Sequence, residues 1–367
     1  MRIAFYAPMK APDHPIPSGD RLLGRLLMAA LERRGHEVDL LCRFRSWDRT
    51  GQRQERLKRA GEYLAQRLIR GILAKPEAER PKLWFTYHLY HKAPDWIGPK
   101  VATALGIPYV LAEASVAGKQ AHGRWAIGYD GALEALKAAD LVVGLNPVDQ
   151  AGIEPFLKPG CRRLTLRPFI DTEPFQALRR DRDGKQSAVP WLIAVGMLRA
   201  GDKQASYTLL AQSLIQIQHL PWRLIVIGDG PARGEIQAVF APIADRVHWT
   251  GALEANEVRR WLASCDLCVW PAINEAFGMA LLEAQAAGLP VVAGNAGGVA
   301  TIVRDGETGR LVPVGAIDRF AAGIAEFLQN ETQRAAFGAT AKHLSRQDHD
   351  IEQASLQLDA ELSRVVQ

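Results

Sequence analysis

The sequence predicts an α/β protein of two Rossmann-like, doubly wound lobes facing across a cleft, and three observations carry that expectation. Short apolar runs alternate with longer stretches of helical periodicity, the signature of parallel sheets covered by helices. The alternation breaks once, in a proline- and charge-rich stretch from Pro168 to Pro190, and then restarts. At 367 residues the chain also suits two cores better than one.

The elements follow in order. Ile3–Ala7 reads as the first strand, Leu22–Arg34 as a helix and Glu37–Cys42 as the second strand. Leu83–Thr86, Pro108–Ala112 and Leu141–Leu145 are the later strands of the first lobe. That stretch, Pro168 to Pro190 around the polar run Arg179–Ser187, reads as the interdomain connection. Beyond it, Trp191–Val195, Arg223–Ile227, Val247–Trp249, Leu267–Trp270, Val291–Ala293 and Leu311–Val314 are strands of a second sheet. Gln204–Ile217 and Gly278–Ala287 are helices between them. The expected organisation is a first lobe over 1–170, a second over 171–345, and a C-terminal helix over 346–367 packing back on the first lobe. Open parallel sheets bind ligands at the carboxyl ends of their strands, so the chemistry is sought there.

Composition narrows the class. Apolar content of 48% and charged content of 23% are ordinary for a globular protein. Apolar runs such as Leu192–Val195 and Leu289–Ala293 fall far short of the roughly 20 residues of a membrane span. Met1-Arg-Ile-Ala-Phe-Tyr-Ala lacks a signal-peptide layout, and Cys42, Cys161, Cys265 and Cys268 are too few for a disulfide scaffold; a cytoplasmic location is expected. The net charge is +5, and residues 49–75 alone carry eight basic side chains against Glu55 and Glu62. Leu57, Leu64, Leu68 and Ile72 recur there near helical spacing, widened by Ile69 and Leu73. Such a helix either lies on an anionic membrane surface, at the inner face, or turns its leucines to the core and its arginines to water. No aromatic platform interleaves with the charges, so nucleic acid is not an expected partner.

The densest signal is Asn274-Glu-Ala-Phe-Gly-Met-Ala-Leu-Leu-Glu-Ala-Gln-Ala-Ala-Gly-Leu-Pro290. A helix starting near Phe277 or Gly278 and stopping near Gly288 puts Glu275 in the loop before it and Glu283 two turns in. Amides at a helix start attract a diphosphate, and glycine lets a phosphate approach the backbone. A carboxylate grips two hydroxyls at once, so two acids beside such a site suit a ligand rich in hydroxyls.

Within Asn274–Val299 this pattern resembles the signature of family-four retaining glycosyltransferases of the GT-B fold. The likeness continues in Val226-Ile-Gly-Asp-Gly-Pro231, His248-Trp-Thr-Gly251, Asp305-Gly-Glu-Thr-Gly-Arg-Leu-Val312 and, loosely, Gly35-His-Glu-Val38. The resemblance implies transfer of a hexose from a nucleoside-diphosphate sugar to a cell-envelope glycan or lipid-linked acceptor. It implies that Glu283 holds the donor ribose, Glu275 the hexose hydroxyls, and that Lys203 neutralises the diphosphate on the Gly278 and Met279 amides beside Phe277. It implies no bound metal and no cofactor beyond the donor. Asp181-Arg-Asp183 and Asp348-His-Asp350 look like metal-binding triplets but read as surface accidents.

The chain departs from the family in places. Met197 stands where an arginine is usual, with Arg199 two residues on as a substitute, and Thr301 stands where a glutamate is frequent. Relatives carry a histidine beside the reacting sugar after the strand matching Pro108–Ala112; here Glu113 or Ser115 occupies the place, leaving His88 and His122 as candidates. Gly19, in the loop Pro17-Ser-Gly-Asp-Arg21, either admits the donor or simply starts a helix. Trp84, Tyr87 and Trp125 are candidate sugar-stacking rings or core residues. Cys265-Asp-Leu-Cys268 lacks a second cysteine pair, so no zinc is expected. A sugar-nucleotide epimerase or hydrolase, and a catalytically inactive nucleotide-sugar-binding protein, remain as alternatives.

Overall fold

The computed structural model describes residues 1–16, 18–145, 147–178 and 189–366. The polar run Arg179–Ser187, with Asp181 and Asp183, and Pro17 lie outside the described residues. The chain forms two compact units, Met1–Arg167 with Ile351–Gln367, and Pro168–Asp350.

In the first unit β1 (Arg2–Tyr6), α1 (Gly19–Glu32), β2 (Glu37–Cys42), α2 (Gln54–Leu73), β3 (Leu83–Leu89), α3 (Gly98–Leu105), β4 (Tyr109–Ala114), α4 (Ala126–Ala138), β5 (Leu141–Gly144), α5 (Pro147–Ile153) and β6 (Arg162–Thr165) follow one another. The second unit runs through α6 (Glu173–Gln176), β7 (Trp191–Val195), α7 (Asp202–Gln216), β8 (Arg223–Ile227), α8 (Arg233–Val239), β9 (Val247–Gly251) and α9 (Ala255–Ser264). It continues with β10 (Leu267–Trp270), α10 (Met279–Ala286), β11 (Val291–Gly294), β12 (Gly309–Val312), α11 (Ile317–Gln329) and α12 (Glu331–His349). The last helix, α13 (Ile351–Val366), belongs to the first unit.

Each unit is a six-stranded parallel sheet, ordered β2-β1-β3-β4-β5-β6 and β12-β11-β10-β7-β8-β9. The inner strands are apolar on both faces because helices cover both, which is why they read as unbroken hydrophobic runs. Strand β6 escaped that reading. Its Arg162-Arg-Leu-Thr165 is an exposed edge with no apolar run to announce it.

Helix α1 buries Leu23, Leu26, Leu27, Ala30 and Leu31 along one stripe, and Ser18 caps it by accepting from the Arg21 amide at 3.2 Å. Helix α13 buries Ile351, Ala354, Leu358 and Leu362 and packs on α1. Arg162 to Glu361 at 2.7 Å and His36 to Asp359 at 2.9 Å hold its polar flank. The triplet Asp348-His-Asp350 is no surface accident. His349 is buried with Nδ1 2.6 Å from the Pro168 carbonyl, Asp348 pairs with Arg304, and Asp350 accepts from the Thr172 hydroxyl. His349 and Asp350 tie the end of α12 to 168–172, and Asp348 ties it to Arg304.

The most committed polar group of the first core is Asp95. Its carboxylate is 2% exposed and accepts from the Thr86 hydroxyl at 2.6 Å, the Tyr109 hydroxyl at 2.9 Å and the amides of Ile97 and Gly98 at 2.8 and 2.7 Å. It both caps α3 and joins β3 to β4. Asp95→Ala leaves four buried donors without an acceptor, so it lowers stability by about 3 kcal/mol or more, read by urea unfolding of the full chain.

Candidate functional site

In the second unit the carboxyl edge of the sheet gathers the loops after β7 and β10. Lys203, in the first turn of α7, places Nζ 2.5 Å from Glu275 Oε2, although the two are 72 residues apart. The Trp270 indole donates to the same oxygen at 3.1 Å, and the ammonium lies 5.0 Å from the centre of that ring. Tyr207 packs edge-on against Trp270 at 5.0 Å and donates to the Gly196 carbonyl at 2.9 Å. The loop is stitched to α7 twice more, by Asn274 to Asp202 at 2.9 Å and by the Ile273 amide to Ser206 at 3.1 Å.

Gly278 heads α10 with φ +80°, a left-handed conformation that glycine enters without a Cβ penalty. Helix α10 therefore starts at Met279, and the Gly278 and Met279 amides sit at its unsatisfied end. Gly297 approaches so closely that a Cβ there would lie 2.1 Å from the Glu275 carbonyl. The double glycine Gly297-Gly298 thus acts as a clamp on the loop that carries Glu275, with the Gly298 amide donating to the Ala276 carbonyl at 2.7 Å. Phe277 is buried against it.

Glu283, half-buried on α10, meets no hydrogen-bond donor or ion-pair partner among the described residues. Burial pushes its carboxyl up to about 7, with Arg259 pulling the other way. It is a group that gains by receiving hydroxyl donors. Arg199 lies exposed on the β7–α7 loop, Met197 is half-buried, and the Thr301 hydroxyl is turned back onto the Gly298 carbonyl at 2.6 Å.

The first unit has its own titratable cluster at the carboxyl edge. His88 lies inside β3 rather than past it, and Glu113 lies inside β4; between the pairs Tyr87–Ala112 and Leu89–Ala114 they share one register position. Both adopt left-handed backbone, at φ +64° and +56°. His88 Nδ1 lies 3.2 Å from Asp20 Oδ1. Burial alone would lower the imidazole, but Asp20, Glu113 and Asp149 carry it above its ordinary range. Burial pushes Glu113 up to about 6, with the His88 charge opposing, and its Oε2 is buried without a hydrogen-bond partner.

His122 is exposed in the bend before α4, and Gly19 is the first residue of the capped α1 with open space around its Cα. Trp84 and Tyr87 are core residues; Trp125 is half-buried. Cys265 and Cys268 are buried, and burial pushes the Cys268 thiol up to about 12. Sequence reasoning missed Trp270, Asn274 and Asp202. Their place at the end of β10, in the motif loop and beside Lys203 was the available signal.

Residues 189–330 match the family described as glycosyl transferases group 1. A D-inositol 3-phosphate glycosyltransferase of Thermobispora bispora is 33% identical over 232 residues, 58% of this chain and 54% of that protein. A second of that name, from Catenulispora acidiphila, is 26% identical over 303 residues, 75% of this chain and 70% of that protein. The chain thus spans about half the length of the first of these relatives. Among solved structures, Anabaena HepE in complex with UDP superposes with a TM-score of 0.75 at 17% identity, covering 99% of this chain and 100% of that one. Sucrose-phosphate synthase of Thermosynechococcus elongatus gives 0.74 at 19% identity over 99% and 98%. The fold is GT-B, two Rossmann-like units in one chain. Residues 189–330, the stretch that holds Glu275 and Glu283, are thus similar to the glycosyl transferases group 1 family, in keeping with the motifs there.

The Glu283 titration has a consequence for stability. Its folded value, about 7, lies above that of an unfolded glutamate. The native state therefore holds a proton that the unfolded chain has released, and stability falls as pH rises from the unfolded value to about 7. Glu283→Gln removes this loss: the variant gains thermal midpoint over wild type at about pH 8 and little at about pH 4, read by calorimetry.

Proposed function

We propose that the chain is a retaining glycosyltransferase that moves a hexose from a nucleoside-diphosphate sugar to a glycan or lipid-linked acceptor of the cell envelope. The observation that carries this reading is the Lys203–Glu275 pair beside the Gly278 and Met279 amides. The relatives, which include a sulfoquinovosyl transferase and a GDP-mannose-dependent mannosyltransferase, and the UDP and UDP-glucose in complex with HepE support it.

The diphosphate lies on the α10 start, where the helix dipole and free amides favour negative charge. Lys203 then exchanges its carboxylate partner for phosphate and offsets the charge that the leaving group gains. That releases a Glu275 oxygen for the hexose hydroxyls while Trp270 keeps the carboxylate oriented. Glu283 accepts from the ribose. Because Glu275 is engaged from two sides, it is a hydroxyl ligand rather than a nucleophile, and the departing phosphate itself takes the acceptor proton. The configuration at the anomeric carbon is kept, and the reading needs no bound metal. Arg199 supplies the second cation in place of the arginine usual where Met197 stands.

The same reading sets the protein against the inner membrane face through α2. Arg53, Arg56, Arg59, Arg67 and Arg70 are exposed there with Tyr63 and Leu73, while Ala65 and Ile72 face the core. No helix among the described residues is long and apolar enough to cross a membrane. Reversing the charge of Arg53, Arg56 and Arg59 abolishes sedimentation with anionic vesicles; unchanged sedimentation sinks the membrane reading.

The activity is tested by offering UDP-, GDP-, ADP- and TDP-sugars and detecting released nucleoside diphosphate. One donor is turned over, and Lys203→Ala and Glu275→Ala each lower its kcat by about 100-fold or more. Product NMR finds the donor's anomeric configuration retained, and inversion rules the mechanism out. Donor binding without turnover in the presence of acceptor extracts favours the inactive binding protein.

A further inference from the structure

The loops after β3 and before α4 bring together nitrogen groups and nothing to receive them. Lys92 Nζ lies 4.7 Å and Arg124 Cζ 4.9 Å from the centre of the Trp125 ring. Among the described residues neither side chain reaches a carboxylate. The His91 ring stands edge-on to Trp125 at 5.7 Å. Trp125 Nε1 and His91 Nε2 are both buried there without a hydrogen-bond partner. Burial, and after it the charges of Lys92 and Lys119, hold the His91 imidazole below its ordinary range, so it is neutral and keeps one N–H to give.

The group is held in place by backbone. The Lys92 carbonyl accepts from the Asp48 amide at 2.8 Å. Gln54 donates to the His91 carbonyl at 3.2 Å and accepts from the Gly128 amide at 2.8 Å. Asp48, whose amide meets the Lys92 carbonyl, has its carboxylate occupied by the Thr50 and Arg53 amides at 3.1 and 2.7 Å. A ring face orders a cation without cancelling its charge, in contrast to a salt bridge. The N–H groups of both cations therefore remain available, and a place with donors alone is complementary to an anion that only accepts.

We propose that Lys92, Arg124, Trp125 and His91 form a phosphate-binding site on the first unit that receives the phosphate of the acceptor. The proposal rests on the glycosyltransferase reading for the word acceptor, but the site stands on its own geometry. Its occupant is a phosphate ester, either of a soluble polyol or of a lipid headgroup. Two relatives carry phosphate in the names of what they glycosylate, inositol 3-phosphate and a phosphatidylinositol mannoside, which fits this chemistry.

The test follows the indole N–H signals of the full chain, labelled at tryptophan and assigned with Trp125→Phe. Inorganic phosphate and inositol 3-phosphate shift the Trp125 signal, and unphosphorylated inositol does not. Lys92→Gln and Arg124→Gln each weaken this binding by about ten-fold, while Arg319→Gln, an exposed charge on α11, leaves it unchanged. Phosphatidylcholine vesicles with and without phosphatidylinositol separate the sources. Loss of the phosphatidylinositol-dependent part in Lys92→Gln assigns a lipid headgroup, and binding confined to the soluble ester assigns a polyol. No shift of Trp125 with any phosphate probe, or a shift that survives both substitutions, overturns the proposal. UDP titration of the same variants is read separately: unchanged UDP binding isolates the failure to this site, and absent UDP binding in wild type isolates it to the donor reading.

Discussion

An ammonium and a carboxylate 2.5 Å apart beside one indole fix the loops after β7 and β10 of the second unit to each other. Lys203 and Glu275 come from different crossovers of the sheet, and each is placed by a rigid neighbour. Helix α7 presents the lysine in its first turn, and Trp270, packed on Tyr207, aims the carboxylate. The two further hydrogen bonds from Asn274 and Ile273 to α7 fix the loop, so the motif is held before a ligand arrives. Such preorganisation matters because a charge that must be assembled during reaction stabilises less than one already in position.

Backbone strain marks the same edges. The non-glycine residues with positive φ among the described residues are His88, Glu113, Ala272 and Asn274. The first pair lies at the ends of β3 and β4, and the second in the loop after β10, so each unit carries its strain where its parallel strands end. Conformations of this kind cost of order 1–3 kcal/mol each and survive only when surrounding contacts over-determine them. In the second unit the contacts are the stitches to α7 and the close approach of Gly297 to Glu275. In the first they are the sheet pairs on either side of His88 and Glu113. That register point turns an imidazole and a carboxyl, both displaced from their usual titration, towards Asp20 at the start of α1.

The units differ in how they store charge. The second neutralises Lys203 internally against Glu275. The first leaves Lys92 and Arg124 on an indole face, ordered but not neutralised. Both solutions keep a cation positioned at the carboxyl edge of a sheet, where dipoles and loop amides already favour anions.

The sequence by itself determined the two parallel sheets and the motif around Glu275 and Glu283, because buried parallel strands need continuous apolar runs and a helix start needs its glycine. It marked Lys203 only through family resemblance. It did not reveal β6, whose edge position removes the apolar requirement, nor that β3 and β4 run on through His88 and Glu113 in a left-handed step no propensity favours. It gave no hint that Asp348-His-Asp350 is consumed by Arg304, Pro168 and Thr172, contacts that span up to 181 residues. The meeting of Lys92, Arg124 and His91 on Trp125 was likewise decided by the tertiary structure alone. Local pattern specifies which face of an element is buried; which charges meet depends on the strand order that brings distant loops to one edge.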